Sequence, residues 1–200
     1  SAPTKPVTIG FSLLIRIKKE ETKMAIVRAY LSLSALLLVY VASSAACKGG
    51  IPQEEIDKIL AAHNKLRAAV TAGTYVAKGA ALPQPKTPLR ALEWDCDLAQ
   101  RAQSWAAHCS VENSKWARVG ENTFMTEEKD GKLSFTGLGD EAAAAWENEL
   151  QTNGLKEVHL TPELWKTDTA HATQMLWAST SKIGCGMAAC AAGRRAVVVC

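Results

Sequence analysis

The chain lacks the patterns that mark nucleic-acid binders, zinc folds and serine hydrolases. Its 200 residues carry 23 Lys and Arg against 20 Asp and Glu, but the basic excess is confined to the front. Residues 1–46 hold six basic side chains (Lys5, Arg16, Lys18, Lys19, Lys23, Arg28) and two acids (Glu20, Glu21), which leaves 17 basic and 18 acidic residues from Cys47 onward. With no basic run, and no basic patch interleaved with aromatics, there is no electrostatic footprint for a nucleic acid. No C-x-x-C pair occurs among the six cysteines, so zinc ligation by thiolates has no frame. No G-x-S-x-G surrounds Ser114, Ser179 or Ser181, so none of these hydroxyls is set up as an acyl-transfer nucleophile. There is no internal repeat and no low-complexity tract. The longest apolar run, Y-L-S-L-S-A-L-L-L-V-Y-V, is broken by serines and ends in small residues. A membrane-spanning helix needs about 18 or more apolar residues.

What is present is an ordinary globular composition, 48% hydrophobic and 22% charged, in a chain long enough for one filled core. Residues 1–23 contain no methionine, and Met24 is the first available start. Arg28, the apolar run and the small residues Ser44 and Ala46 after it follow the order of a secretory signal peptide. We expect residues 1–23 to be upstream sequence read through in translation, residues 24–46 to be a signal peptide cut before Cys47, and residues 47–200 to be one exported domain. All six cysteines lie in that domain, and an even count in an exported chain predicts three disulfides, with 15 pairings open.

Along residues 47–200 the apolar period changes several times. From Pro52, residues Ile56, Ile59, Leu60, His63, Leu66, Arg67 and Val70 recur at helical spacing until Gly73. Gly79 to Pro88 reads as an irregular loop. A second helix is expected from about Glu93 to Cys109, with Leu98, Ala102, Trp105 and Cys109 on one face. Its alanines Ala99, Ala102 and Ala106 would admit a neighbour closely. A short strand is expected at Asn122–Met125 and a helix over Asp140–Leu150, which sets Trp146 and Glu149 on one face. Asp168 or Thr169 can cap a short helix in A-H-A-T-Q-M-L-W, which sets His171 and Gln174 one turn apart and offers Met175, Leu176 and Trp177 for burial. Ile183, Cys185 and Met187 then alternate with Gly184 and Gly186 as a strand does, and Ala196–Cys200 closes the chain as another. Helices and strands interleave, the pattern of one α/β unit.

H-N-K-L-R at His63–Arg67, C-x-x-x-N-S at Cys109–Ser114, G-E-N at Gly120–Asn122 and W-x-x-E at Trp146–Glu149 occur in this order. H-A-T-Q-M-L-W, I-G-C-G and V-V-V-C follow. The ordered set resembles the CAP superfamily of cysteine-rich secretory proteins, insect venom antigens and plant pathogenesis-related proteins. Its wording over Trp165–Gly186 is most similar to the Ancylostoma-secreted, venom-allergen-like proteins of parasitic nematodes. The resemblance implies a three-layer α-β-α sandwich with a groove lined by two histidines and two glutamates. Carried over, these are Glu121, Glu149 and His171, with Asn113 standing where the second histidine is expected. It also implies the disulfides Cys109–Cys190 and Cys185–Cys200, which leaves Cys47–Cys96. The segment Y-x-P-x-G-N that follows the last strand in such proteins is absent, so the chain is expected to stop short of its natural end.

Three kinds of chemistry follow for the groove. One imidazole (His171) and two carboxylates (Glu121, Glu149) are a candidate divalent-cation site. The Asn113 carbonyl that replaces an imidazole is a poor zinc ligand and suits a harder cation such as calcium or magnesium better, so weaker zinc affinity than in a two-histidine relative is expected. The same residues would equally serve as a hydrogen-bonded network between layers. A hydrolase using Glu121 and Glu149 with His171 is the enzymatic alternative, and it needs a nucleophile that no motif supplies. The resemblance implies instead a secreted, non-enzymatic protein that binds a lipid, a sterol or a host extracellular protein. Trp116, Phe124, Leu133, Phe135 and Trp165 are candidates for an apolar site on its long loops. His63 and Arg67 are assigned to packing or capping, with no chemistry.

Overall fold

The computed structural model describes residues 47, 50–127, 134–155 and 168–200. The expected leader and upstream segment, together with Leu133 and Trp165, lie outside the described residues. Pro52, at φ −56°, precedes helix α1 (Gln53–Thr71), whose buried residues Ile56, Ile59, His63, Leu66, Arg67 and Val70 form the stripe that the spacing predicts. Gly73, at φ +69°, follows its end.

Residues 73–92 hold more order than expected. Lys78 and Gly79 both take positive φ and turn the chain between β1 (Val76–Ala77) and β2 (Ala80–Ala81), an antiparallel hairpin. That is the backbone a tight primed turn requires. The second helix also starts later than the apolar pattern predicts. Glu93–Trp94 is a short strand, β3, and Asp95 accepts from the Asp97 and Leu98 amides to cap α2 (Cys96–Ala106). Asp95 competes for the backbone amides there, which ends the strand and begins the helix. The buried face of α2 is Ala99, Ala102 and Ala106, while Leu98 and Trp105 lie half-buried beside it.

Strand β4 (Thr123–Glu127) leads to α3 (Leu138–Asn153) and then α4 (Ala170–Met175). The alternating stretch expected as one strand is two pieces. β5 (Lys182–Ile183) runs parallel to β3, and β6 (Gly186–Cys190) joins β7 (Arg195–Val199), which pairs with β4 on its other side. The three-stranded sheet is therefore antiparallel, in the order β4-β7-β6.

The middle strand shows why the fold has three layers. Ala196 to Val199 are fully buried on both faces. Ala196 and Val198 join Ile59, Leu66, Ala142 and Trp146 from α1 and α3, while Val197 and Val199 join Ala102 and Ala106 from α2. Side chains alternate across a strand, so V-V-V feeds two cores at once. On the α2 side the approach is close enough to exclude a side chain. A Cβ on Gly184 would lie 2.5 Å from the Asp95 carbonyl oxygen and 2.7 Å from the Leu98 carbonyl carbon. The expected role of the α2 alanines is realised here, against the two glycines of I-G-C-G. This is an α-β-α sandwich, braced by the disulfides Cys47–Cys96, Cys109–Cys190 and Cys185–Cys200.

Two helix starts are capped from a neighbouring helix. α3 begins at Gly137 (φ +81°), which has no side chain, and the buried Glu55 carboxylate of α1 accepts from the Gly137 amide at 2.8 Å and the Gly139 amide at 3.2 Å. Burial alone would raise the Glu55 carboxyl, but these amides and Lys58 outweigh it and hold it below the usual range. Glu149 at the far end of α3 does the same for α4, accepting from the Ala172 amide at 3.0 Å.

Candidate functional site

The polar groove is assembled from three pieces of chain. Helix α4 presents His171, whose Nδ1 lies 2.5 Å from Glu149 Oε1. With its second oxygen on the α4 amide, the Glu149 carboxylate is committed to orienting this helix and its imidazole. Trp146, one turn before Glu149, stacks on the His171 ring at 6.3 Å between centroids and donates its indole N–H to the Thr123 carbonyl. The second piece is the loop before β4. Glu121 accepts from the Ser114 amide at 2.7 Å and the Ser114 hydroxyl at 2.5 Å, and so closes the turn that carries Asn113. Asn122 donates its side-chain amide to the His171 carbonyl at 3.0 Å and pairs by backbone with Cys200. Gly120 packs against the Gln174 side-chain amide so closely that a Cβ has no room. In G-E-N, then, the glycine allows close approach, the glutamate closes a turn, and the asparagine anchors α4.

Asn113, Ser114, Glu121 and His171 line a cavity of about 280 Å³. Glu149 stands behind His171 and is not part of the lining. Among the described residues no group of three or more His, Cys, Asp or Glu side chains converges as a metal-holding set. The Ser114 hydroxyl hydrogen-bonds a carboxylate, and among the described residues no hydrogen bond links it to an imidazole.

A larger cavity, of about 500 Å³, adjoins the first and shares Trp116, Gly120, Glu121 and Gln174 with it. Its apolar lining comes from Leu92, Leu98, Trp116, Val119, Met175 and Ile183, and it reaches inward to His63. Trp177, expected in the core, is 40% exposed and stands at this cavity. It falls one residue after the C-cap Leu176, where the helical stripe no longer applies. Of the other candidates for an apolar site, Phe124 and Phe135 pack against the core.

The walls are held by the H-N-K-L-R motif of α1. His63 Nδ1 meets the Ile59 carbonyl at 2.8 Å. Asn64 both donates to the Leu92 carbonyl and accepts from its amide. Arg67, 1% exposed, donates to the carbonyls of Arg90, Met175, Trp177 and Thr180 at 2.7 to 3.1 Å. The assignment of His63 and Arg67 to packing understated this. Burial, and secondarily the charge of Arg67, hold the His63 imidazolium below its usual range. The unfolded chain therefore takes up a proton near pH 6.5 that the folded chain resists. Stability is expected to fall as the pH drops below about 6.5, with part of the slope removed in His63→Gln, as measured by urea unfolding between pH 7.5 and 5.5. Glu55 and Asp95, both held low, contribute their loss only under more acidic conditions.

The pattern of the CAP group, the cysteine-rich secretory protein family, matches residues 60–200. The chain belongs to this family. Among its relatives, venom allergen 5 of Microctonus hyperodae is 30% identical over 140 residues, covering 66% of this chain and 59% of that protein. The CAP chain spans about three fifths of the length of the curated relatives it matches first. Two solved structures agree in fold at 29% identity. BmVAL-1 has a TM-score of 0.72 over 77% of this chain and 79% of its own, and NaASP2, crystallised with Zn2+, has 0.70 over 77% and 82%. Three disulfides fit an extracellular CAP protein, as venom relatives are.

Proposed function

We propose that this CAP protein is a secreted, non-enzymatic binder of a lipid or sterol, held in the larger cavity. The observation that carries the reading is a volume of about 500 Å³ whose mixed lining sets Leu92, Leu98, Met175 and Ile183 and the indoles of Trp116 and Trp177 beside polar groups such as Arg101, Glu121 and Gln174. That size falls in the range of small-molecule sites, about 300 to 1,000 Å³. The hydrolase alternative has less support. Its candidate base is paired with Glu149 and its nearest candidate nucleophile with Glu121, and among the described residues no hydrogen bond joins the two. The zinc of the NaASP2 structure is not carried over, because Asn113 stands where the resemblance places a histidine and Glu149 is turned to α4. Binding in the setting of a host–parasite encounter is the corresponding biological reading.

The test is saturable binding of a fluorescent sterol to the oxidised chain produced by a secretory host. Binding is expected to be unchanged in Asn113→His and reduced in Ile183→Trp, which fills the larger cavity. Binding abolished by His171→Ala but untouched by Ile183→Trp would move the site to the polar groove and defeat the proposal.

A further inference from the structure

The larger cavity carries an excess of positive charge that the domain as a whole does not. From Cys47 onward the chain has 17 basic and 18 acidic residues, yet Arg101, Arg118 and Lys182 line the cavity against the single carboxylate of Glu121. His63 lines it too, and burial holds that ring toward its neutral form. Two of the four charged groups are already engaged. The Lys182 ammonium lies 2.7 Å from Asp95 Oδ2, and the Glu121 carboxylate accepts from the Ser114 amide and hydroxyl. Arg101 and Arg118 are not engaged in this way. Among the described residues neither makes a hydrogen bond or an ion pair, and Asp97, one turn before Arg101 on α2, does not pair with it.

What Arg101 does meet is an aromatic face. Its guanidinium carbon lies 6.0 Å from the ring centroid of Trp116, another lining residue. Stacking uses the flat face of a guanidinium and leaves its in-plane N–H fork free to donate to an oxyanion. The loop around Trp116 is turned against its preference. Lys115 and Arg118 take φ of +61° and +66°, a region unfavourable to residues with a Cβ and found most often where a binding surface is being shaped.

We propose that the larger cavity takes an anionic amphiphile, whose headgroup oxygens accept from Arg101 and Arg118 while its hydrocarbon body lies against Leu92, Leu98, Met175 and Ile183. This rests on the lipid-binding reading above and adds to it the charge of the ligand. A neutral lipid of the same shape fills the apolar part and forgoes both charge-assisted contacts.

The experiment compares cholesteryl sulfate with cholesterol and with cholesteryl acetate, a neutral ester, on the unaltered oxidised chain by competition against a fluorescent sterol. The sulfate is expected to bind about tenfold more tightly than either neutral sterol at low salt. Its advantage should shrink as sodium chloride rises from about 20 to about 500 mM. Arg101→Gln combined with Arg118→Gln should bring the sulfate down to the affinity of the acetate. Arg194→Gln removes the same charge from the exposed turn before β7, does not touch the cavity lining, and should keep the preference. Near-ultraviolet circular dichroism reports whether each variant keeps its packing, and the three-ligand comparison needs no variant. A sulfate no tighter than the neutral sterols would overturn the charge rule and leave lipid binding in place. A preference that survived the double replacement would overturn the placing of the headgroup at these arginines. No binding of any of the three would overturn both readings.

Discussion

Replacing Arg67 with methionine is expected to lower the unfolding free energy by about 3–5 kcal/mol. The methionine fills most of the same volume, so cavity formation is a minor part of the loss. The larger part is four carbonyl oxygens, those of Arg90, Met175, Trp177 and Thr180, which lose charge-assisted donors together. Each buried acceptor left unpaired costs about 1–3 kcal/mol, and those nearer the surface regain some of this from water. Arg67→Lys is expected to lose less than Arg67→Met and still be destabilised, because one ammonium cannot reach four carbonyls spread over two chain segments. Urea unfolding of the oxidised protein measures both, and a loss under about 1 kcal/mol for the methionine variant would contradict the account. The 175–180 segment also walls the larger cavity, so sterol affinity should fall with stability.

Much of this architecture was legible because periodicity reports burial directly. The α1 stripe from Ile56 to Val70 reads as it folds, and β7 was legible as a strand but not as one buried on both faces. What sequence pattern concealed was bonding between distant segments. Glu55 looks like one acidic residue in the first turn of a helix, and nothing local shows that its carboxylate caps α3, more than eighty residues on. Arg67 likewise looks like a polar residue interrupting an apolar face. The late start of α2 was lost because Glu93 and Trp94 suit either state, and only pairing with Lys182 and Ile183 decides for strand. Of the groove, Glu121, Glu149 and His171 were named in advance. The division of labour among them was not legible, since it depends on which oxygen meets which amide.

The two trans caps connect the groove residues in series. Glu55 fixes the start of α3, α3 presents Trp146 and Glu149, and Glu149 fixes the start of α4 and the His171 ring. Asn122 holds the His171 carbonyl from the opposite side, tying α4 to the sheet end where Cys200 is also bonded. His171 is thus held by groups from both layers. The hydrogen bonds among these residues link the layers. Gln174, one turn from His171, lines both cavities.

The disulfides should contribute in the order of the loops they close. They span 81 residues for Cys109–Cys190, 49 for Cys47–Cys96 and 15 for Cys185–Cys200. In the chain-entropy account these loops correspond to about 4.5, about 4 and about 3 kcal/mol of restriction on the unfolded chain. Removing the pairs one at a time as alanines is expected to destabilise in that order, with full reduction unfolding the protein at 37 °C. Burial acts against the entropic order at one pair. Cys185 is fully buried while Cys109 lies half-exposed, so Cys185→Ala paired with Cys200→Ala also opens space in the core. The two causes separate by where they act. Restriction of the unfolded chain leaves the unfolding rate nearly unchanged when the bridged segments already meet in the transition state, whereas a core cavity raises that rate. Loss at Cys109–Cys190 should therefore appear mainly in refolding, and loss at Cys185–Cys200 mainly in unfolding. If removing the 15-residue loop proved the more damaging with no change in the unfolding rate, loop entropy would not govern how these bridges stabilise the sandwich.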